Sequence, residues 1–121
     1  MAYNLKHECS KPERFVGGHR LCAGCGAGVA VRGVLRALKD EDKSVSGVAT
    51  SCLEVSSCLF PYTAWQDSFI HSAFENVAAT ISGAEASYNA LKRKGKVKDT
   101  YKFIAFGGDG GTYDIDRKSV V

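Results

Sequence analysis

The run Gly107-Gly108-Asp109-Gly110-Gly111, directly after the apolar stretch Thr100 to Phe106, constrains this chain more than any other feature. The stretch Thr-Tyr-Lys-Phe-Ile-Ala-Phe has the composition of a buried strand. Glycines after such a strand let the backbone turn tightly and bring bare N–H groups against a ligand, a diphosphate above all. An aspartate among them would face that diphosphate and be repelled by it unless a cation lies between, so Asp109 predicts bound Mg²⁺. Two other phosphate signatures are excluded. The chain has no G-x-x-x-x-G-K-[ST], and Tyr113 stands where G-x-G-x-x-G requires its last glycine. With no ligand, the same residues would form a plain strand-to-helix turn.

The rest of the chain supplies the frame for such a loop. Val31, Val34, Leu35 and Leu38 recur at helical spacing, which predicts a helix from about Ala27 to Leu38. A polar connector, Lys39 to Lys43, leads to a short strand, Val45 to Ala49, which ends at Thr50-Ser51-Cys52. Phe74, Val77, Ala78, Ile81, Tyr88 and Leu91 keep a helical period and predict a second helix from Ala73 to about Lys94. Between them, Phe60 to Phe69 is aromatic and interrupted by Pro61, and is read as a surface loop in which Tyr62 and Trp65 cover a neighbouring element. Helix alternating with strand is the pattern of an α/β fold with a parallel sheet flanked by helices, where ligands bind beyond the carboxyl ends of the strands. Cys52 and the glycine loop both fall at such ends. Residues 1–20 show no sustained period and are expected to be a leader, with 21–115 forming the domain proper.

The five cysteines are Cys9, Cys22, Cys25, Cys52 and Cys58. Cys22-Ala23-Gly24-Cys25 lies at the start of the first predicted helix, and its spacing alone leaves three ligand chemistries open. A redox pair also sits at a helix N-terminus but should follow a strand, and Arg14 to Arg20 makes a poor one. A zinc site would want two C-x-x-C pairs, whereas Cys52 and Cys58 are five residues apart. An iron-sulfur cluster uses two close cysteines together with distant ones. Cys9, in the leader, and Cys58, beside Leu59 and Phe60, are not expected to be ligands; Cys58 reads as a small buried hydrophobe. His19 and His71 are candidates for polar contacts near a site, without assigned chemistry.

Charge and hydropathy exclude several partners. Sixteen basic residues against 13 acidic ones leave a net charge of +3, concentrated in Lys92, Arg93, Lys94, Lys96 and Lys98, a solvated helix end rather than a nucleic-acid surface. No apolar stretch approaches the ~20 residues that span a bilayer, and Met1 to Lys11 is unlike a secretory signal. A cytoplasmic protein is expected, and there an odd number of cysteines argues against structural disulfides.

Taken together, these motifs resemble the thiamine-diphosphate-binding β subunit of the pyruvate:ferredoxin oxidoreductase (pyruvate synthase) family. The matching stretches are Phe15 to Gly26, Ala49 to Val55, Phe60 to Trp65, Phe74 to Ala79 and Gly107 to Ile115, in family order. The resemblance implies a thiamine-diphosphate-binding α/β fold, incomplete at its C-terminal end. It implies that Cys22, Cys25 and Cys52 ligate a 4Fe-4S cluster, with a fourth cysteine further along the family sequence. It also implies that Asp109 binds Mg²⁺, that Gly108, Gly110 and Gly111 form the diphosphate loop, and that Cys52 lies against the thiamine. The activating glutamate is expected on the partner α subunit, so no catalytic residue is assigned within this chain; Ala27 stands where single-chain relatives have a cofactor-contacting glutamate.

The implied reaction is oxidative decarboxylation of pyruvate to acetyl-coenzyme A and carbon dioxide, or its reverse, with electrons passing through the cluster to ferredoxin. The implied partners are the α subunit, separate γ and δ subunits where the family has them, ferredoxin, pyruvate and coenzyme A. Alternatives are the same chemistry on 2-oxoglutarate or a branched-chain 2-oxoacid, for which Cys-Pro-Gly-Cys-Gly is the more frequent form, and a small zinc- or cluster-binding module without catalysis. Two departures from the family stand out. Ser51 occupies a position that is often glycine, and Asp116 to Val121 does not continue the family pattern. Those six residues can be encoded by a run matching a common sequencing adapter, so 116–121 is expected to be non-native, with the natural protein continuing past Ile115 and the fragment alone inactive.

Overall fold

A computed structural model describes residues 4–115 of the 121-residue chain, so the expected non-native tail lies outside the described residues. The elements run α1 (Leu5–Ser10), α2 (Gly26–Arg36), β1 (Lys43–Ala49), α3 (Cys52–Ser57), β2 (Ser68–Ser72), α4 (Val77–Arg93) and β3 (Tyr101–Phe106), followed by a π-helical turn, Gly111–Ile115. The three strands form one parallel sheet in the order β2-β1-β3. The expected α/β arrangement is therefore present, with β1 at its centre.

Side chains alternate across the sheet and divide the core in two. On one face Val48 packs with Phe15, Val31, Leu35, Ala64 and Trp65, and is joined by Phe69 and Phe106. On the other, Ala49, Val77 and Ile81 form a smaller cluster with Val45, Ile70 and Phe103. Gly47 marks where α4 comes closest to β1: an added Cβ would lie 2.4 Å from Ile81 Cγ1, so only glycine fits there. α2 buries Gly28, Val31 and Leu35 along one stripe. α4 ends in two reverse bonds, Gly95 N–H to the Lys92 carbonyl and Lys96 N–H to the Leu91 carbonyl, with Gly95 at φ +69°. This is a Schellman stop, and it turns the chain back toward β3.

Several expectations need correction. Residues 4–20 are not a loose leader. α1 is capped by Asn4, Lys11 Nζ donates to the Arg36 and Leu38 carbonyls at the end of α2, and Phe15 is 1% exposed in the main core. Phe15 pairs with Trp65 in an antiparallel bridge, and Arg14 binds Asp67 at 2.8 Å, so segments distant in sequence hold the stretch in place. No period can reveal such contacts, because each involves a single residue. The aromatic segment is likewise not only a surface loop. It contains the start of β2, and Trp65 is buried, its indole N–H bonded to Ser57 Oγ at 2.8 Å, while Phe60 and Tyr62 face solvent. α3 and β2 went unread because each is too short to establish a period.

Candidate functional site

A pocket of about 420 Å³ opens at the carboxyl ends of β1 and β3. Thr50, Ser51 and Cys52 form one wall, Gly108 to Gly111 the other, and Val55 and Phe74 supply apolar surface. The two motifs are 57 positions apart from Cys52 to Asp109, yet the ladder places them together, because β1 and β3 are hydrogen-bonded neighbours in register from Lys43↔Tyr101 to Val48↔Phe106. Strands that run parallel end on the same side, and so do the loops that follow them.

Local chemistry shapes each wall. Ser51 has extended backbone, φ −168° and ψ 176°, and caps α3: its hydroxyl accepts from Glu54 N–H at 3.4 Å and donates to the Ala49 carbonyl at 2.9 Å. The position therefore does not require glycine, and serine there starts the helix whose first residue is Cys52. Across the pocket, an added Cβ on Gly108 would lie 2.9 Å from Ser51 Cβ, one on Gly107 2.5 Å from Thr112 Oγ1, and one on Gly111 2.3 Å from the Phe74 carbonyl oxygen. Gly110 has open space around it. None of these loop glycines has a positive φ. The loop needs glycine for close approach, not for a left-handed turn.

A diphosphate with its cation suits this cradle. The loop presents backbone without side-chain cover, the pocket beside it is unfilled by protein, and Asp109 is an exposed carboxylate on its lining, a hard oxygen donor for Mg²⁺. The cysteine assignment finds no comparable geometry. Cys22 to Cys25 forms a turn closed by Cys25 N–H on the Cys22 carbonyl at 3.0 Å, with Gly24 at φ +77°, and Cys25 is the N-cap of α2. Cys22 and Cys52 are exposed and Cys25 is partly so. Cys52 lines the pocket, whereas Cys22 and Cys25 do not. Among the described residues no group of three or more His, Cys, Asp or Glu side chains is placed to hold a metal ion, so the three thiols do not form a ligand set in this structure.

The side chains behind the pocket are more connected than the sequence indicated. Glu54 is buried, and its Oε1 accepts from Cys58 Sγ at 3.1 Å. Burial pushes the Cys58 thiol up to about 11, and the Glu54 carboxylate adds to the effect, so Cys58 stays protonated and unreactive. The expectation of a small buried hydrophobe holds in part, since Cys58 is only partly buried and its thiol donates to a carboxylate. Cys9 is exposed on α1. His19 stacks on Phe15 with ring centroids 5.2 Å apart and lies away from the pocket. His71, expected to make polar contacts near a site but given no chemistry, does so: its Nε2 lies 2.7 Å from Thr50 Oγ1 and 3.7 Å from Glu54 Oε2. A lone histidine in a five-residue strand carries no signal of that pairing.

No protein-family model matches the chain. Among curated proteins it is similar to pyruvate synthase subunit PorB of Thermotoga maritima, 57% identical over 106 residues that cover 85% of this chain and 33% of that protein. PorB of Methanocaldococcus jannaschii is 50% identical over 107 residues, covering 87% of the chain and 35% of that protein. Ketoisovalerate oxidoreductase subunit VorB of Pyrococcus furiosus is 37% identical over 119 residues, covering 97% and 38%. The chain thus spans about a third of the length of the curated relatives it matches.

Proposed function

We propose that this chain, a partial-length relative of pyruvate synthase subunit PorB, belongs to a 2-oxoacid:ferredoxin oxidoreductase and contributes one wall of its thiamine diphosphate site. The observation that carries the reading is the single pocket at the ends of β1 and β3, which unites Thr50-Ser51-Cys52 with Gly108-Asp109-Gly110-Gly111. Pyruvate is the substrate favoured over branched-chain 2-oxoacids, since identity to the PorB relatives reaches 57% against 37% to VorB.

Thiamine diphosphate, when bound, supplies an electron sink for decarboxylation of the 2-oxoacid. The chain's own residues bind and orient. Backbone N–H groups of the glycine loop hold the diphosphate, and Gly111 approaches the Phe74 carbonyl so closely that no side chain fits at that position. The Asp109 carboxylate ligates Mg²⁺. Val55 and Phe74 supply apolar lining, and Cys52 lies at the pocket wall. Assignment of Cys22, Cys25 and Cys52 to a 4Fe-4S cluster rests on the family resemblance, with which the Cys22–Cys25 spacing is compatible. The thiols do not converge here, and no step is drawn through that group. Transfer of electrons to ferredoxin, of the acyl group to coenzyme A, the partner subunits and a cytoplasmic location complete the reading. Among the described residues no helix is long and apolar enough to cross a membrane.

The test is calorimetric titration of Mg²⁺-thiamine diphosphate into the assembled enzyme carrying this sequence, beside its Asp109→Ala variant, with iron and acid-labile sulfide measured on both. The expected result is cofactor binding that is lost on substitution of Asp109 while iron content is unchanged. Equal cofactor affinity in the two proteins would overturn the role of Asp109, and zinc in place of iron would point to a binding module.

A further inference from the structure

Thr50 closes the pocket beside Ser51 and Cys52, and the partners of its hydroxyl determine what it can offer a ligand. Thr50 Oγ1 lies 3.0 Å from the Ser72 carbonyl oxygen and 2.7 Å from His71 Nε2. A hydroxyl has one proton and two lone pairs, while a carbonyl oxygen only accepts. If the proton goes to Ser72, the imidazole must donate. The alternative, with the proton given to a bare Nε2, would place the nitrogen lone pair 3.7 Å from Glu54 Oε2, where the carboxylate repels it. The buried Glu54 carboxylate thus favours the Nε2–H form of His71, and the Ser72 carbonyl takes the threonine proton as well as Thr50 N–H at 2.9 Å.

We propose that His71 is a positioning residue for the pocket, which by donating Nε2–H to Thr50 Oγ1 leaves that hydroxyl only an acceptor lone pair to present to a ligand. The inference rests on the reading of the pocket as a cofactor site and adds its polarity. A threonine with no proton to give repels phosphate oxygens, which accept only, and attracts an N–H or O–H group. Phosphate is then directed to the glycine backbone, and a donor-bearing part of the ligand to Thr50. The device depends on strand register: Val48 pairs with His71 and Ala49 with Ser72, which brings His71 and the Ser72 carbonyl to the residue that follows β1.

The experiment uses the assembled enzyme and two probes, Mg²⁺-thiamine diphosphate and Mg²⁺-diphosphate, titrated by calorimetry. Thr50→Val and His71→Ala should each weaken Mg²⁺-thiamine diphosphate about 10-fold, the magnitude of one lost hydrogen bond. The double variant should be no weaker than Thr50→Val alone, because His71 acts only through that hydroxyl. Thr50→Ser and His71→Gln, which keep a hydroxyl and a donor, should bind within about 3-fold of the parent. Mg²⁺-diphosphate affinity should not change in Thr50→Val. A fall there would show that Thr50 donates to phosphate and overturn the proposal, as would additive losses in the double variant or parental affinity in His71→Ala. If the parent itself binds no thiamine diphosphate, or Asp109→Ala binds it equally well, the cofactor reading fails and this one with it; a parent that binds, an Asp109 variant that does not and an unaffected His71→Ala would sink only the role of His71.

Discussion

The glycine-loop pocket and the cysteine turn both stood out as motifs, yet the fold treats them differently. The pocket is assembled from two loops whose positions follow from hydrogen-bonded neighbouring strands, and its glycines are packed against Ser51 and Phe74. The turn at Cys22 to Cys25 is held by its own backbone bond, by Arg20 N–H on the Ser56 carbonyl at 2.7 Å, and by Leu21 on the core, with its thiols left facing outward. A parallel ladder positions strand-end loops without any ligand, whereas a cysteine turn is a set of donors awaiting further donors.

The largest expected effect sharpens that contrast. Trp65→Ala should cost about 3–5 kcal/mol in chemical denaturation, since it leaves a cavity in the main core and removes the ring contact with Phe15 and the indole bond to Ser57. Hydrogen exchange should show residues 14–25 losing protection before the glycine loop does; protection lost first at Gly107 to Gly111 would break the comparison. Next come two glycines, one from each region. Gly111→Ala should destabilise by about 2–3 kcal/mol, because the new methyl meets a backbone carbonyl oxygen that cannot move aside, and cofactor affinity should fall with it. Gly24→Ala should cost about 1–2 kcal/mol, from its φ of +77° alone, since nothing lies within 4 Å of the added carbon. Gly110→Ala, in open space at ordinary φ, is the control and should change stability by less than about 0.5 kcal/mol.

Thiol chemistry provides smaller effects. At pH 8, with any bound metal removed, Cys58 should be alkylated on the order of 100-fold more slowly than an ordinary thiol, because a thiol raised from 9.0 to about 11 holds that much less thiolate. Peptide mapping after iodoacetamide labelling checks this, and early modification of Cys58 would refute its shielding by Glu54. The smallest effect is on stability. Folding raises the Cys58 value, so the folded state retains a proton that the unfolded chain gives up between 9.0 and about 11. The associated stabilisation is present in full below pH 9 and declines as pH rises through about 11. Denaturation midpoints of the parent and Cys58→Ser should therefore converge over that window.

Legibility follows the same division. The helices α2 and α4 and the strands β1 and β3 were visible because each is long or periodic enough to state which face is buried; only their ends moved, α4 starting at Val77 where Ala73 was expected. α1, α3 and β2, of six, six and five residues, were not, since so few positions cannot distinguish one period from another. The pocket residues Cys52, Gly108, Asp109, Gly110 and Gly111 were named from the sequence, and the structure brings them together. His71 was named only as a candidate for polar contacts, without a partner, because its significance lies in a 2.7 Å contact with a residue 21 positions away.

By itself, the sequence determined the α/β class and placed two ligand-type motifs at strand ends, because apolar spacing and glycine placement are local properties that burial and backbone sterics read directly. Tertiary structure alone decided which motifs meet. The order β2-β1-β3 sets the Thr50 and Asp109 loops side by side and puts His71 behind Thr50. It also leaves Cys22 and Cys25 outside the pocket that Cys52 lines. Strand order is fixed by packing Val48, Phe15 and Trp65 on one face and Ala49, Val77 and Ile81 on the other, and that energy belongs to contacts between segments rather than to any segment's own residues.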